Sequence, residues 1–245
     1  MATLKTKTIQ PSTGTNVNLG NAGTAILVNS DSIQTNVYKD SGGNTIVQSD
    51  GAGTLSNVNT ALTGAGPKLI STSTVSSAVA TIEFTSGIDS TYDEYVWYFI
   101  NIQPATNATQ WLFQCNADGQ TGYNENMTSV AMYIQHYQNN SGTSGPGLTS
   151  SGTRQGNGTS FQCIAEDIGN GADESLVGEF HLLSPSNTTY VKEFWWKIED
   201  YDSADKAQTR WGAGYFLGAA AIDEIQFKFN SGNINAGKIK MYGIS

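Results

Sequence analysis

The chain has 245 residues, of which only 13% are charged, and a formal net charge of −9. With no run of Lys or Arg anywhere, that balance excludes nucleic acid as a partner. The most apolar stretch, "GAGYFLGAAAI" at 212–222, is far short of the ~20 residues that span a bilayer, so membrane insertion is not expected.

The polar surface has to come from Ser, Thr, Asn and Gln, and there are 27 glycines. These residues disfavour helices and make turns between strands, so the composition is that of an all-β protein. The start "MATLKTKTIQ" lacks the roughly 7–15-residue apolar core of a signal peptide, which points to assembly in a cytoplasm.

Two regions separate along the chain. From Met1 to Gly66 there is no Trp or Phe and a single Tyr, Tyr38, whereas all five Trp and all nine Phe follow Pro67. "TGAGP" at 63–67 supplies the breakers Gly64, Gly66 and Pro67. The first region, 1–66, opens on "KTKTIQPSTGTNVNLG", followed by short strand patterns such as "TAILVN" and "NTIVQS". "YKDSGGNTIVQSDGAGTL" predicts hairpins turning at Gly42–Gly43 and Asp50–Gly51. So little apolar bulk is marginal for a lone domain. The region is expected to be small, β-rich and dependent on a partner.

The second region, 67–245, is a succession of strand patterns: "ATIEFTS", "DEYVWYFINI", "WLFQCNA", "VAMYIQHY", "TSFQCIAE", "ESLVGEFHLLS", "YVKEFWWKIED", "RWGAGYFLG", "DEIQFKFNS" and "GKIKMYGI". About ten strands at this spacing predict a jelly-roll-type β-sandwich. Alternation places Phe194, Trp196 and Ile198 on one face, with Trp195 opposite. For Trp195, burial under a second layer or subunit competes with a platform for sugar rings. The same alternation groups Trp111 and Phe113 with Cys115, and Phe161 and Ala165 with Cys163, so both thiols are expected to be buried and unpaired.

One stretch, "QNNSGTSGPGLTSSGTRQGNGTS" at 138–160, reads as a long loop with almost no apolar content. Loops of that length are usually functional or mobile, and Asn139, Asn140, Arg154 and Asn157 are its candidate receptor contacts. The acidic pairs in "YDEY", "AEDIGNGADES", "IEDYDSAD" and "IDEI" sit at strand ends, where carboxylates make turns. "AEDIGNGADE" lacks the regular spacing of a calcium loop. No nucleophile motif, P-loop or dinucleotide fingerprint is present. Neither a catalytic residue, a metal ligand nor a cofactor site is assigned.

Four stretches carry a resemblance: "FTSGIDSTYDEYVWYFINIQP", "ESLVGEFHLLSPSNTTYVKEFWWKI", "GYFLGAAAIDEIQFKFNSGNINAGKIKMYGI" and, upstream, "KTKTIQPSTGTNVNLG". Together they resemble a family of small tail-fibre-like virion structural proteins from tailed bacteriophages of marine bacteria, infecting cyanobacteria and oceanic heterotrophs. The C-terminal part of the match runs over about residues 67–245. The resemblance implies a virion protein assembled in the host cytoplasm, without enzymatic activity, forming a short homotrimeric appendage. Its N-terminal end, Lys5, Thr6, Lys7, Thr8, Ile9, Gln10 and Pro11, would dock on other virion proteins. Its sandwich would face a host surface glycan or receptor. A capsid fibre or decoration protein with a purely structural role is the alternative, and a surface-polysaccharide hydrolase ranks last.

Overall fold

The computed structural model describes residues 37–40, 42–58, 66–149 and 153–245, and it forms two compact units, 1–63 and 64–245. The division falls three residues ahead of the break read at Gly66 and Pro67. The docking candidates Lys5 to Pro11 lie outside the described residues.

In the first unit β1 (Val37–Lys39), β2 (Thr45–Ser49) and β3 (Leu55–Val58) form an antiparallel sheet in that order. Both expected turns are present, and each is built on an aspartate. Asp40 Oδ1 accepts from the backbone N–H of Gly42 (2.9 Å) and of Asn44 (2.8 Å). Asp50 Oδ1 accepts from those of Ala52 (2.7 Å) and Thr54 (3.1 Å). Gly43 and Gly51 take φ of 84° and 83°, the left-handed region open to glycine at no steric cost. Among the described residues of this unit no side chain is buried.

The second unit holds β4 (Lys68–Val75), β5 (Thr81–Phe84), β6 (Glu94–Pro104), β7 (Thr109–Ala117), β8 (Met127–Tyr137), β9 (Thr143–Leu148), β10 (Gln162–Ile168), β11 (Leu176–Leu183), β12 (Lys192–Tyr201), β13 (Lys206–Phe216), β14 (Ile222–Phe229) and β15 (Ile234–Ile244). They make a long sheet, β4-β15-β6-β11-β12-β13-β8-β9, and a short one, β10-β7-β14-β5. Setting aside the hairpins β8–β9 and β12–β13 leaves eight strands. Their first pairs with the eighth, which pairs with the third, which pairs with the sixth; their second, seventh, fourth and fifth make the other sheet. That is the jelly-roll order, two interlocked Greek keys. Both extra hairpins join the same sheet beyond β11 and lengthen it to eight strands.

Aromatic rings fill the space between the sheets. Phe227 of β14 lies within 6.4 Å, centroid to centroid, of Phe84, Trp97, Phe99, Trp111 and Phe180. Phe113 of β7 packs 4.3 Å from Phe180 and 5.2 Å from Phe194. Edge-to-face and offset pairs of this kind add to what area burial alone contributes.

Beyond β12 the inward side of the long sheet mixes core residues, Phe216, Met127 and Ala131, with buried polar groups. Arg210 of β13 is buried, its Nη1 donating to Glu166 Oε2 (2.7 Å) and its Nη2 to Gln208 Oε1 (2.7 Å). Residues 153–160 run along the start of β8 and satisfy it. Ser129 N–H donates to the Gln155 carbonyl (3.0 Å), and Met127 and Gly158 exchange both backbone bonds. Gln162, fully buried, accepts from Ser129 Oγ (2.5 Å) and donates to the Thr153 carbonyl (2.6 Å).

Three expectations are corrected. The stretch at 138–160 is not all loop, since it contains β9, paired to β8 from Met132–Leu148 to His136–Thr143. The ten expected strands become twelve, since the Ser/Thr-rich β4 joins β9 beyond those patterns. Phe161, Cys163 and Ala165 do not share a face, because a bulge between Cys163 and Ala165 pairs Ala165 with Trp111 but Cys163 with Leu112. Ala165 therefore enters the core with Cys115, while Cys163 lies on the opposite side of the short sheet. Both thiols are buried and free, and burial raises the pKa of each.

Candidate functional site

The short sheet covers one side of the long sheet, and the other side carries the outward members of every alternating strand. Because the register is regular here, two cross-strand rows can be followed. One runs Lys240–Tyr98–Glu179–Lys197–Trp211–Met132–Leu148 from β15 to β9. The next runs Tyr242–Val96–His181–Trp195–Ala213–Val130.

An open groove of about 460 Å³ lies across β15, β6, β11 and β12, lined by Tyr98, Ile100, Glu179, Lys197, Glu199, Lys240 and Tyr242. At one end of it β6 is bulged. Its neighbour β11 slips register opposite Phe99–Ile102 and β15 opposite Ile100–Pro104, and Asn101 takes a φ of 51°. A bulge bends the strand and re-aims its side chains. Tyr98 stands in the groove 36% exposed, its ring 5.6 Å from that of Tyr242 at 80°. Partial burial, and after it the nearby Glu179, raise the Tyr98 pKa, so the phenol keeps its proton as a donor.

The charged side chains of the groove balance, two lysines against two glutamates. Glu199 Oε1 accepts from Thr209 Oγ1 at 2.7 Å. Among the described residues neither Lys197 nor Lys240 has an ion-pair or side-chain hydrogen-bond partner, so both ammonium groups are available to a ligand.

Beside the groove, Trp195 lies flat on His181, with ring centroids 3.5 Å apart and planes at 13°. The imidazole is buried and held through Nδ1, 2.5 Å from Glu94 Oε1, while Nε2, 3.6 Å from Glu179 Oε2, has no hydrogen-bond partner among the described residues. One indole face is thus backed by a fixed ring, while Trp195 remains 36% exposed. Among the described residues no second layer covers Trp195.

The candidate receptor contacts are not brought together. Asn139 and Asn140 form the turn after β8, where Asn139 Oδ1 accepts from Ser141 N–H (2.9 Å) and Asn140 takes a φ of 59°. Arg154 and Asn157 belong to the segment packed at the start of β8, and Asn157 N–H donates to Thr128 Oγ1 (3.1 Å). The eleven residues of β8 separate the two pairs, a distance of about 33 Å. Among the described residues no group of three or more His, Cys, Asp or Glu side chains is placed to hold a metal ion.

The groove residues were legible only in part. Alternation in "GKIKMYGI" sets Lys240 and Tyr242 on the face opposite Ile239 and Met241, but the cross-strand register that joins them to Tyr98 and Lys197 is a long-range property. Comparison with known proteins finds no matching family model, no similar curated protein and no similar solved structure.

Proposed function

We propose that the protein is a bacteriophage virion structural protein that forms a short trimeric tail-fibre-like appendage, with its jelly roll turned to the host surface. The observation that carries the reading is the outer face of the long sheet, where Tyr98, Trp195 and Lys197 stand exposed beside the half-buried Tyr242 and Lys240 on a rigid scaffold. Rigid strands hold a recognition surface more precisely than loops do. The N-terminal unit supports the same reading. Its described side chains are unburied within the chain, as expected of a region that completes its core against other copies or against the particle.

Immunogold labelling of particles with antibodies to this chain tests the proposal. Label on a tail-associated appendage, together with loss of incorporation when residues 1–30 are deleted, is the expected result. Label spread over the capsid would mean a head fibre or decoration protein, and unlabelled particles would overturn the virion assignment. Light scattering of the full chain should give three copies.

A further inference from the structure

We propose that the groove on the outer face of the long sheet binds a neutral oligosaccharide, with Tyr98 and Tyr242 as its apolar walls and Lys197, Lys240, Glu179 and Glu199 as its hydroxyl-reading groups. The inference rests on reading the jelly roll as a recognition module, but not on its place on a particle.

The geometry selects the ligand class step by step. The groove crosses four interior strands of the sheet, whose backbone groups are already paired, so it cannot take a peptide by strand addition. It is open rather than enclosed, which does not suit a small apolar ligand that needs most of its surface buried. What it offers is aromatic surface next to donors and acceptors on adjacent strands. A sugar ring presents that same combination, C–H groups on its faces and hydroxyls at its rim. The phenol of Tyr98 and the ammonium groups of Lys197 and Lys240 donate to hydroxyl oxygens, and the carboxylates of Glu179 and Glu199 accept from hydroxyl protons.

Size and charge narrow the class further. Lys240 and Lys197 lie three strand spacings apart along the Lys240–Tyr98–Glu179–Lys197 row, or about 14 Å. That is the reach of an oligosaccharide and exceeds a single hexose ring. Two cations and two anions leave the groove uncharged, within a chain of net charge −9. An anionic glycan would approach against the field of the whole protein and meet two carboxylates in the groove. A neutral glycan meets neither obstacle. Trp195, braced on His181 on the next row, extends the aromatic surface beyond the groove.

The test is saturation-transfer NMR and titration calorimetry on the full chain. The probes are maltohexaose, cellohexaose and laminarihexaose, set against an alginate hexamer and a heparin oligosaccharide. At least one neutral hexamer should bind, with little dependence on salt. Tyr98→Ala and Lys197→Gln should each weaken that binding tenfold or more, while Leu148→Ser, on the same face but outside the groove, should leave it unchanged. Thermal melts of each variant separate lost binding from lost folding. The proposal is overturned if none of the neutral hexamers binds, if only the acidic probes bind, or if binding survives Tyr98→Ala in a folded protein. Failure here with antibody still labelling an appendage would sink the groove and spare the virion reading. Saccharide binding by a protein that particles do not carry would do the reverse.

Discussion

Replacing Asp200 with Asn should stabilise the protein at neutral pH and flatten its pH dependence. Asp200 points from β12 into the space between the sheets, 6% exposed, and neither carboxyl oxygen has a hydrogen-bond partner among the described residues. Burial dominates its ionisation. Arg210 offsets part of that effect, and Asp202, Asp167 and Glu199 add to it, leaving the pKa raised from 3.8 to about 8. In the unfolded chain the group ionises freely above 3.8, whereas the folded protein holds the proton until about pH 8. The folded state therefore binds more protons between these limits. The stability this group contributes is fully present below the lower limit and is lost as pH rises through the upper one. At pH 7 the loss is about 4 kcal/mol, a ceiling on what Asp200→Asn can recover. Urea unfolding followed by tryptophan fluorescence reads the effect directly, because all five tryptophans lie in the jelly-roll unit. The variant should gain most over the parent at pH 7–8 and least near pH 4. Equal stability at pH 7, or parallel pH profiles for the two proteins, would refute the argument.

Other perturbations test the packing. Phe227→Ala removes the ring around which five other aromatics gather and should cost about 3–5 kcal/mol, measured in the same unfolding assay. Gly214→Ala should cost roughly 1–3 kcal/mol or more, since its Cβ would sit 2.4 Å from the Thr128 carbonyl oxygen and 2.6 Å from Phe194. Neither Cys115 nor Cys163 should react with iodoacetamide in the native protein, by intact mass, since both are buried with raised pKa values. Rapid labelling of either would contradict the burial assigned to it.

The ten strands read from alternating or continuous apolar patterns all exist, and the two that were missed are the two edges of the long sheet, β4 and β9. Edge position is the physical reason. A central strand is packed on both sides by neighbours and needs bulky side chains, whereas an edge can be built from "KLISTSTV" or even "TSGPGL", with Gly and Pro tolerated where half the backbone groups need no ladder partner. The Phe161–Ala165 misreading has a different cause. A bulge changes the phase of alternation after Cys163, and a single extra residue leaves no mark in composition.

Strand β8 shows why the outer face was hard to anticipate. Its pattern "VAMYIQHY" invites Val130, Met132 and Ile134 into the core, yet these are the exposed members, and Tyr133 faces the interior, where its ring carries the Arg210 guanidinium at 5.5 Å. The inversion follows from the topology. The inserted hairpins extend the long sheet past the last strand of the short one, so the interior there is closed by residues 153–160 and by Gln162, Glu166 and Arg210, which must be polar to satisfy one another. With these polar groups committed inward beside the buried Met127 and Ala131, the apolar residues Val130, Met132 and Ile134 are left on the outside, on the same face as Trp195 and Tyr98. The two inserted hairpins widen that outer face from four strands to eight. That asymmetry gives the long sheet an outer face wider than the core between the two sheets requires.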